Sequence, residues 1–238
     1  MITLNSLAAT ESRDFGGQDE QYQSGAELDF LSQLPRALAT ELIRGSRRVT
    51  YARGAIIAQY GEALPGVVVD GLVRAFLTSP DGREMTFKYV RPGDAMGIVA
   101  SFVDEMPPIG HQALDQTTVL YFDRRRFQRA LANDAALVRA IARQLARVVV
   151  TSSDTAEELA FGSVRQRVAA HLLRLSSKGE GRGLVARVTQ QELADAVGSV
   201  RQVVARALGE LRAAGLIRTS PGKVVILDEG ALDRESCT

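Results

Sequence analysis

The sequence predicts an α+β chain: an N-terminal antiparallel β-roll, one long helix, and a C-terminal winged helix-turn-helix. Three observations predict it. Short apolar runs punctuated by Gly and Asp recur between residues 46 and 123 at a spacing of roughly ten residues. The apolar period then becomes helical and stays so through residue 160. Residues 188–217 carry two helix-start signals on either side of a glycine.

The elements follow in order. Residues 1–29 are polar, with six acidic residues against one Arg, and read as a mobile extension. Residues 30–45 read as a short helix pair interrupted at Pro35. The strand region contains AIIAQY, GVVVDGLVRAFL, MTFKYV and TTVLYF, with Asp70-Gly71 and Asp81-Gly82 as hairpin signals between them. The next stretch places Leu131, Val138, Ala142, Leu145, Val149, Ser152 and Ala156 on a helical stripe, widened by Leu137, Ile141, Val148, Thr155 and Leu159. With Asn133 as N-cap, this helix runs far enough without Gly or Pro to suggest either a partner helix or burial within the chain. Residues 163–177 form a further amphipathic helix with Val164, Val168, Leu172 and Leu175 on one face, and KGEGRG at 178–183 reads as a flexible break.

The helix-turn-helix is the most informative stretch. Thr189 with Glu192 forms one capping box, and Ser199 with Gln202 a second. Gly198 between them suits a left-handed turn. Val204, Ala207, Leu208 and Leu211 share one side of the second helix and are expected to pack on Leu193, Ala194 and Val197. Arg201, Gln202 and Arg206 project elsewhere, around small Ala205. Such a set suits base edges in the major groove, because Arg pairs bidentately with guanine and Gln with adenine. Pro221-Gly222 within RTSPGKVVIL predicts a hairpin wing. Candidate phosphate contacts are Thr189, Gln191, Ser199, Arg218, Thr219, Ser220 and Lys223.

Charge distribution supports a polyanion partner for this part alone. The whole chain carries +1, but residues 162–223 carry +7 and the remainder −6.

At these residues the chain resembles the Crp/Fnr family, over roughly residues 30–228. GAIIAQYGEALPGVVVDGLVRAFLTSPDGREMTFKYVRPGDAMG resembles the family's cyclic-nucleotide-binding-like β-roll. RVVVTSSDTAEELAFGSVRQRVAAHLL resembles its dimerisation helix and hinge, and TQQELADAVGSVRQVVARALGELRAAGLI is the most specific match. The resemblance implies a β-roll sensor domain at 30–130, a dimerisation helix at 131–161 and a winged helix-turn-helix DNA-binding domain at 162–238. It implies a homodimer on a pseudo-palindromic operator of double-stranded DNA, with RNA polymerase as a further partner. It also places Arg201, Gln202 and Arg206 at the three base-reading positions. Family members reading TGTGA-type half-sites carry Glu where Gln202 stands.

The sensor region departs from the nucleotide-binding pattern. In GDAMGIVASFVDEMPPIGHQAL, Ile98 follows Gly97 where Glu is expected, and no Arg occurs from Pro92 through Asp123. Burying a cyclic phosphate without a cation is costly, so classical cyclic AMP is not the expected effector. Gly97, Ile98, Val99, Thr151 and Ser152 are the candidate effector pocket, with the effector an unidentified small molecule. Thr151 and Ser152 match the family's adenine-contact pair, and interhelical packing is their alternative role.

Other chemistries find little support. The single cysteine, Cys237, reads as an exposed tail thiol and provides neither a disulfide nor an iron–sulfur site. His111 and His171 lack ligand spacing, so no metal or cofactor is predicted. No Ser/His/Asp grouping or P-loop points to an enzyme. The expected protein is soluble and cytoplasmic, with no membrane partner. The competing reading is a small-molecule signalling module whose C-terminal domain contacts protein.

Overall fold

The computed structural model describes residues 30–59, 63–103, 109–178 and 184–237; the N-terminal extension read at 1–29 and most of the break at 178–183 lie outside them. The chain forms two compact units. One contains the residues up to Leu77 together with Lys88–Val150, the other Thr78–Phe87 together with Thr151 onward.

In the first unit, Pro35 stands between a 3-10 turn at Leu31–Gln33 and helix α1 at Arg36–Ile43, the interruption expected from the sequence. Eight strands follow among the described residues, with the β4–β5 turn from Thr78 through Phe87 grouped with the second unit: β1 (Arg47–Tyr51), β2 (Ile56–Ala58), β3 (Gly66–Asp70), β4 (Val73–Thr78), β5 (Glu84–Val90), β6 (Ala95–Met96), β7 (Ile109–Ala113) and β8 (Thr117–Tyr121). They build two four-stranded sheets, ordered β1-β8-β3-β6 and β2-β7-β4-β5. Val68, Met96, Val119 and Tyr121 of the first sheet and Val73 and Val90 of the second form one buried cluster, so the two sheets face each other across it.

The two Asp-Gly signals behave differently. Asp81-Gly82 joins β4 and β5, neighbours in one sheet, as the hairpin reading expects. Asp70-Gly71 instead carries the chain from one sheet to the other, since β3 and β4 lie in different sheets. The turn is pinned from the side: Leu72 N–H donates to Asp115 Oδ1 at 2.6 Å, and Thr117 Oγ1 donates to the Leu72 carbonyl at 3.3 Å. A Cβ on Gly71 would lie 2.5 Å from the Gln116 carbonyl oxygen, so only glycine fits.

On its other face the first sheet, through Val67 and Leu120, joins a helical core with Phe30, Leu42, Phe127, Leu137 and Ile141. Phe122 and Phe127 stack there with centroids 5.7 Å apart. Helix α2 (Arg124–Asn133) is capped by Asp123, which accepts from Arg126 N–H. The long helix α3 spans Ala135–Phe161. Its start differs from the expectation by one residue. Asn133 ends α2, and Asp134 supplies the cap, accepting from Ala136 N–H at 2.8 Å. The extended backbone of Asp134 breaks the helix there and frees its carboxylate for the new amides.

Helix α3 divides its apolar residues between the interior and the surface. Leu137, Ala140 and Ile141 are buried within the unit, whereas Val138, Val149 and Val150 remain exposed.

In the second unit, the end of α3 is followed by α4 (Val164–Leu175), β9 (Ser176–Lys178), β10 (Leu184–Ala186), α5 (Gln190–Val197), α6 (Arg201–Ala213), β11 (Ile217–Ser220), β12 (Lys223–Ile226) and α7 (Glu229–Cys237). Strand order is β11-β12-β10-β9. One core holds Val168, Leu172, Leu193, Val197, Val204, Leu208, Leu211, Ile217 and Leu232. The strands β9 and β10 escape the sequence reading because each has three residues, too few for an alternation to register. Helix α7 also escapes it; Leu232 is fully buried, and Arg165 Nη2 donates to Glu235 Oε2 at 2.9 Å. Cys237 therefore ends a helix rather than lying in a free tail.

No helix among the described residues is long and apolar enough to cross a membrane.

Candidate nucleic-acid interface

The interface is built on α5, α6 and the β11–β12 wing. Thr189 opens α5 with the full capping box: its side chain accepts from Glu192 N–H at 3.1 Å, and Glu192 Oε2 accepts from Thr189 N–H at 2.6 Å. Gly198 ends the helix in the left-handed region at φ 63°. Ser199 N–H then reaches back to the Ala194 carbonyl at 3.0 Å, completing the helix end.

The second capping box does not form: that bond takes the amide from which the Gln202 side chain would accept, and the carbonyl of Val200, not Ser199, accepts the first bonds of α6 from Val203 and Val204 N–H. Val200 is thus the N-cap and has no side-chain bond to offer.

The faces of α6 fall as expected. Val204, Ala207, Leu208 and Leu211 are buried with Leu193, Ala194 and Val197 in one cluster. Arg201, Gln202 and Arg206 are exposed, and Ala205 between them is half-buried. Among the described residues Arg206 makes only a solvent-exposed pair with Glu210 at 3.9 Å, which holds it weakly.

The wing forms as read. Ser220 pairs with Lys223 across Pro221-Gly222, with Gly222 at φ 66°. Between α5, the start of α6 and the wing lies a cleft of about 640 Å³ whose walls include Thr189, Gln191, Arg201, Thr219, Ser220 and Gly222. The structure thus brings Thr189, Gln191, Thr219 and Ser220 together with Arg201. Arg218 and Lys223 are exposed on the wing outside this lining, and Ser199, Gln202 and Arg206 also lie outside it. Gln191 Nε2 is committed to Asp195 at 2.8 Å.

The candidate effector residues are distributed otherwise. Gly97 has φ +68°, and a Cβ there would lie 2.0 Å from the Leu64 carbonyl oxygen. Ile98 is 4% exposed and belongs to the helical core, and Val99 opens a 3-10 turn ending at Ser101. Thr151 and Ser152 belong to the other unit; Thr151 is exposed, and its carbonyl accepts from Thr155 Oγ1 at 3.0 Å.

The sequence reading missed how α4 is tied to the end of α3. Ser163 and Gln166 form a capping box that starts α4. Glu158 of α3 forms an ion pair with Arg174 of α4. Between them Gly162 N–H donates to the Glu158 carbonyl, and a Cβ on Gly162 would lie 2.5 Å from that oxygen.

A roll of two antiparallel sheets, a long helix and a winged helix-turn-helix with a basic solvent face define a DNA-binding regulator. Comparison with known proteins agrees. A cyclic nucleotide-binding domain matches residues 48–134, and a Crp-like helix-turn-helix domain matches residues 166–235. The transcriptional regulator LdrP of Thermus thermophilus is 34% identical over 171 residues, 70% of this chain and 84% of LdrP. The CRP-like cAMP-activated global transcriptional regulator of Mycobacterium tuberculosis is 28% identical over 211 residues, 85% of this chain and 93% of that protein. Among solved structures, a CRP/FNR-family transcriptional regulator from Thermus thermophilus superposes with a TM-score of 0.70 at 27% identity, covering 81% of this chain and 99% of that one. The chain belongs to the Crp/Fnr family of transcription regulators, which are not enzymes.

Proposed function

We propose that the protein acts as a homodimer that reads a pseudo-palindromic operator, with Arg201, Gln202 and Arg206 of each α6 on base edges. One observation carries this reading: these three side chains occupy the exposed face of a helix whose opposite face is locked into the core. Thr189, Gln191, Ser199, Arg218, Ser220 and Lys223 are the proposed phosphate contacts. Half-sites would then be centred about 34 Å apart, one turn of DNA. The exposed apolar residues Val138, Val149, Val150 and Phe161 of α3 support pairing of two long helices.

Within the roll, an effector other than classical cyclic AMP acts near Gly97, Ile98 and Val99. Burial of Ile98 where a ribose-binding Glu is expected supports this, together with the lack of any Arg or Lys from residue 92 to 123. Residues 30–130 serve as sensor, 131–161 as dimerisation helix and 162–238 as the DNA-binding part. The regulator works in the cytoplasm, on DNA and with RNA polymerase.

Selection from a random duplex pool, followed by mobility shift on the recovered sequence, tests the reading. A symmetric consensus with affinity falling steeply as salt rises is expected. Equal binding of this duplex by wild type and by an Arg201→Ala, Arg206→Ala double variant would overturn the assignment of the reading face.

A further inference from the structure

We propose that Val200 is a further specificity-determining residue: its exposed methyl groups contact the C5-methyl of a thymine in the major groove, close to the base pair that Arg201 meets. The inference rests on the reading of α6 as the base-reading helix and deepens it, adding an apolar contact to the polar ones.

The backbone holds this side chain in a fixed place. Before it, Gly198 closes α5 at φ 63°, and Ser199 N–H donates to the Ala194 carbonyl at 3.0 Å. After it, the Val200 carbonyl accepts from Val203 N–H at 3.0 Å and from Val204 N–H at 3.2 Å. Val204 is fully buried, so the second bond ties Val200 to the core through one turn of helix. Val200 itself is extended, at φ −104° and ψ 148°, and a β-branched side chain has few rotamers. Its methyl groups are therefore placed before any partner arrives, and little freedom is left to lose on contact.

Folding does not account for a valine at this position. The side chain is 56% exposed and stands outside the cluster that holds Val204, Ala207, Leu208 and Leu211. It caps nothing, where Ser, Thr, Asp or Asn would accept from an amide of the first turn. Among the described residues of α5, α6 and the wing, it is the only exposed Val, Ile, Leu, Met or Phe. Its neighbour in the chain is Arg201, the first of the polar readers, which is exposed with it.

The major groove offers such a side chain one kind of partner. Of the groups that base pairs present there, the thymine C5-methyl is the apolar one. Consecutive Cα atoms lie about 3.8 Å apart and consecutive base pairs about 3.4 Å apart. The thymine is thus expected within about two base pairs of the one that Arg201 meets. Removing one methyl group from water is worth about fourfold in affinity for each half-site.

Deoxyuridine in place of thymidine removes this methyl and leaves the hydrogen-bonding groups unchanged. The test is competition binding of full-length protein to the selected operator, with uracil placed at one symmetric position at a time. The Arg201→Ala variant marks the base pair that Arg201 meets. Wild type should lose about fourfold per half-site at one thymine beside that base pair. Val200→Ser should bind the thymine and uracil duplexes equally there, and a urea midpoint no lower than that of wild type shows that the variant is folded. Equal binding of thymine and uracil duplexes by wild type at every position overturns the proposal. So does an undiminished preference for thymine in Val200→Ser, which would transfer the methyl contact to Val203 or Ala205. If either result comes with a symmetric consensus that Arg201→Ala relaxes, α6 remains the reading helix and Val200 alone is removed from it. Absence of any symmetric consensus removes both.

Discussion

Arg174 of α4 grips both carboxylate oxygens of Glu158, near the end of α3, across the Gly162 break. Two helices that meet at a glycine are thereby held at one angle, with Arg167 Nη1 adding a bond to the Leu159 carbonyl at 3.4 Å. Both side chains of the pair are about one-third exposed or less, so solvent screening is reduced but present. A double-mutant cycle on Glu158→Ala and Arg174→Ala, followed by urea unfolding, should give a coupling of about 1 kcal/mol. A coupling near zero would show that the hinge angle is set by packing alone.

The reading face makes a base-specific prediction. Arg201→Ala should cost about 1–3 kcal/mol on the selected operator and relax preference at one symmetric position per half-site. Gln202→Glu should shift preference toward a cytosine, whose amino group a carboxylate can accept from. Both are measured by competition against operators varied one base pair at a time. Unchanged preference in Gln202→Glu would remove that residue from the readers.

Val200 caps α6 with an aliphatic side chain that is 56% exposed. Val is among the poorest N-cap residues, and Ser in the same extended backbone can accept from the free amides. Val200→Ser should therefore stabilise the protein by about 1 kcal/mol, read as a shift in the urea midpoint. In the opposite sense, Thr189→Ala removes a cap that is formed and should cost about 1 kcal/mol. If the two variants do not move oppositely, the assignment of these caps is wrong.

His171 gives a pH prediction. It is 4% exposed; burial, then the charges of Arg174 and Arg167, pushes it down to about 3 from the ordinary 6.5. The unfolded chain binds the proton more readily than the folded one, so stability rises with pH across this range. The contribution is complete above about pH 6.5 and is lost as pH falls toward 3, a loss of a few kcal/mol. His111 adds the same sign between about 6.5 and 4. Urea unfolding from pH 7.5 down to 4.5 should show this slope, and His171→Gln should flatten it. An equal slope in the variant would assign it to other groups.

What the sequence alone determined was whatever depends on neighbours within a few residues. The Thr189–Glu192 box, the left-handed Gly198, the wing turn at Pro221-Gly222 and the buried stripe of α6 all arise from local backbone geometry and helical period. The exposed face carrying Arg201, Gln202 and Arg206 was legible for the same reason, being what the buried stripe leaves outside. Tertiary structure decided what depends on distant partners. Asp70-Gly71 turns between sheets because Asp115 and Thr117 hold Leu72 from 43 and 45 residues away, whereas Asp81-Gly82, held locally by Ser79 and Arg83, makes a hairpin within one sheet. Ser199 gives its amide to Ala194 and leaves the start of α6 to Val200, and Asn133 yielded to Asp134, because a helix end is fixed by which amide is left free.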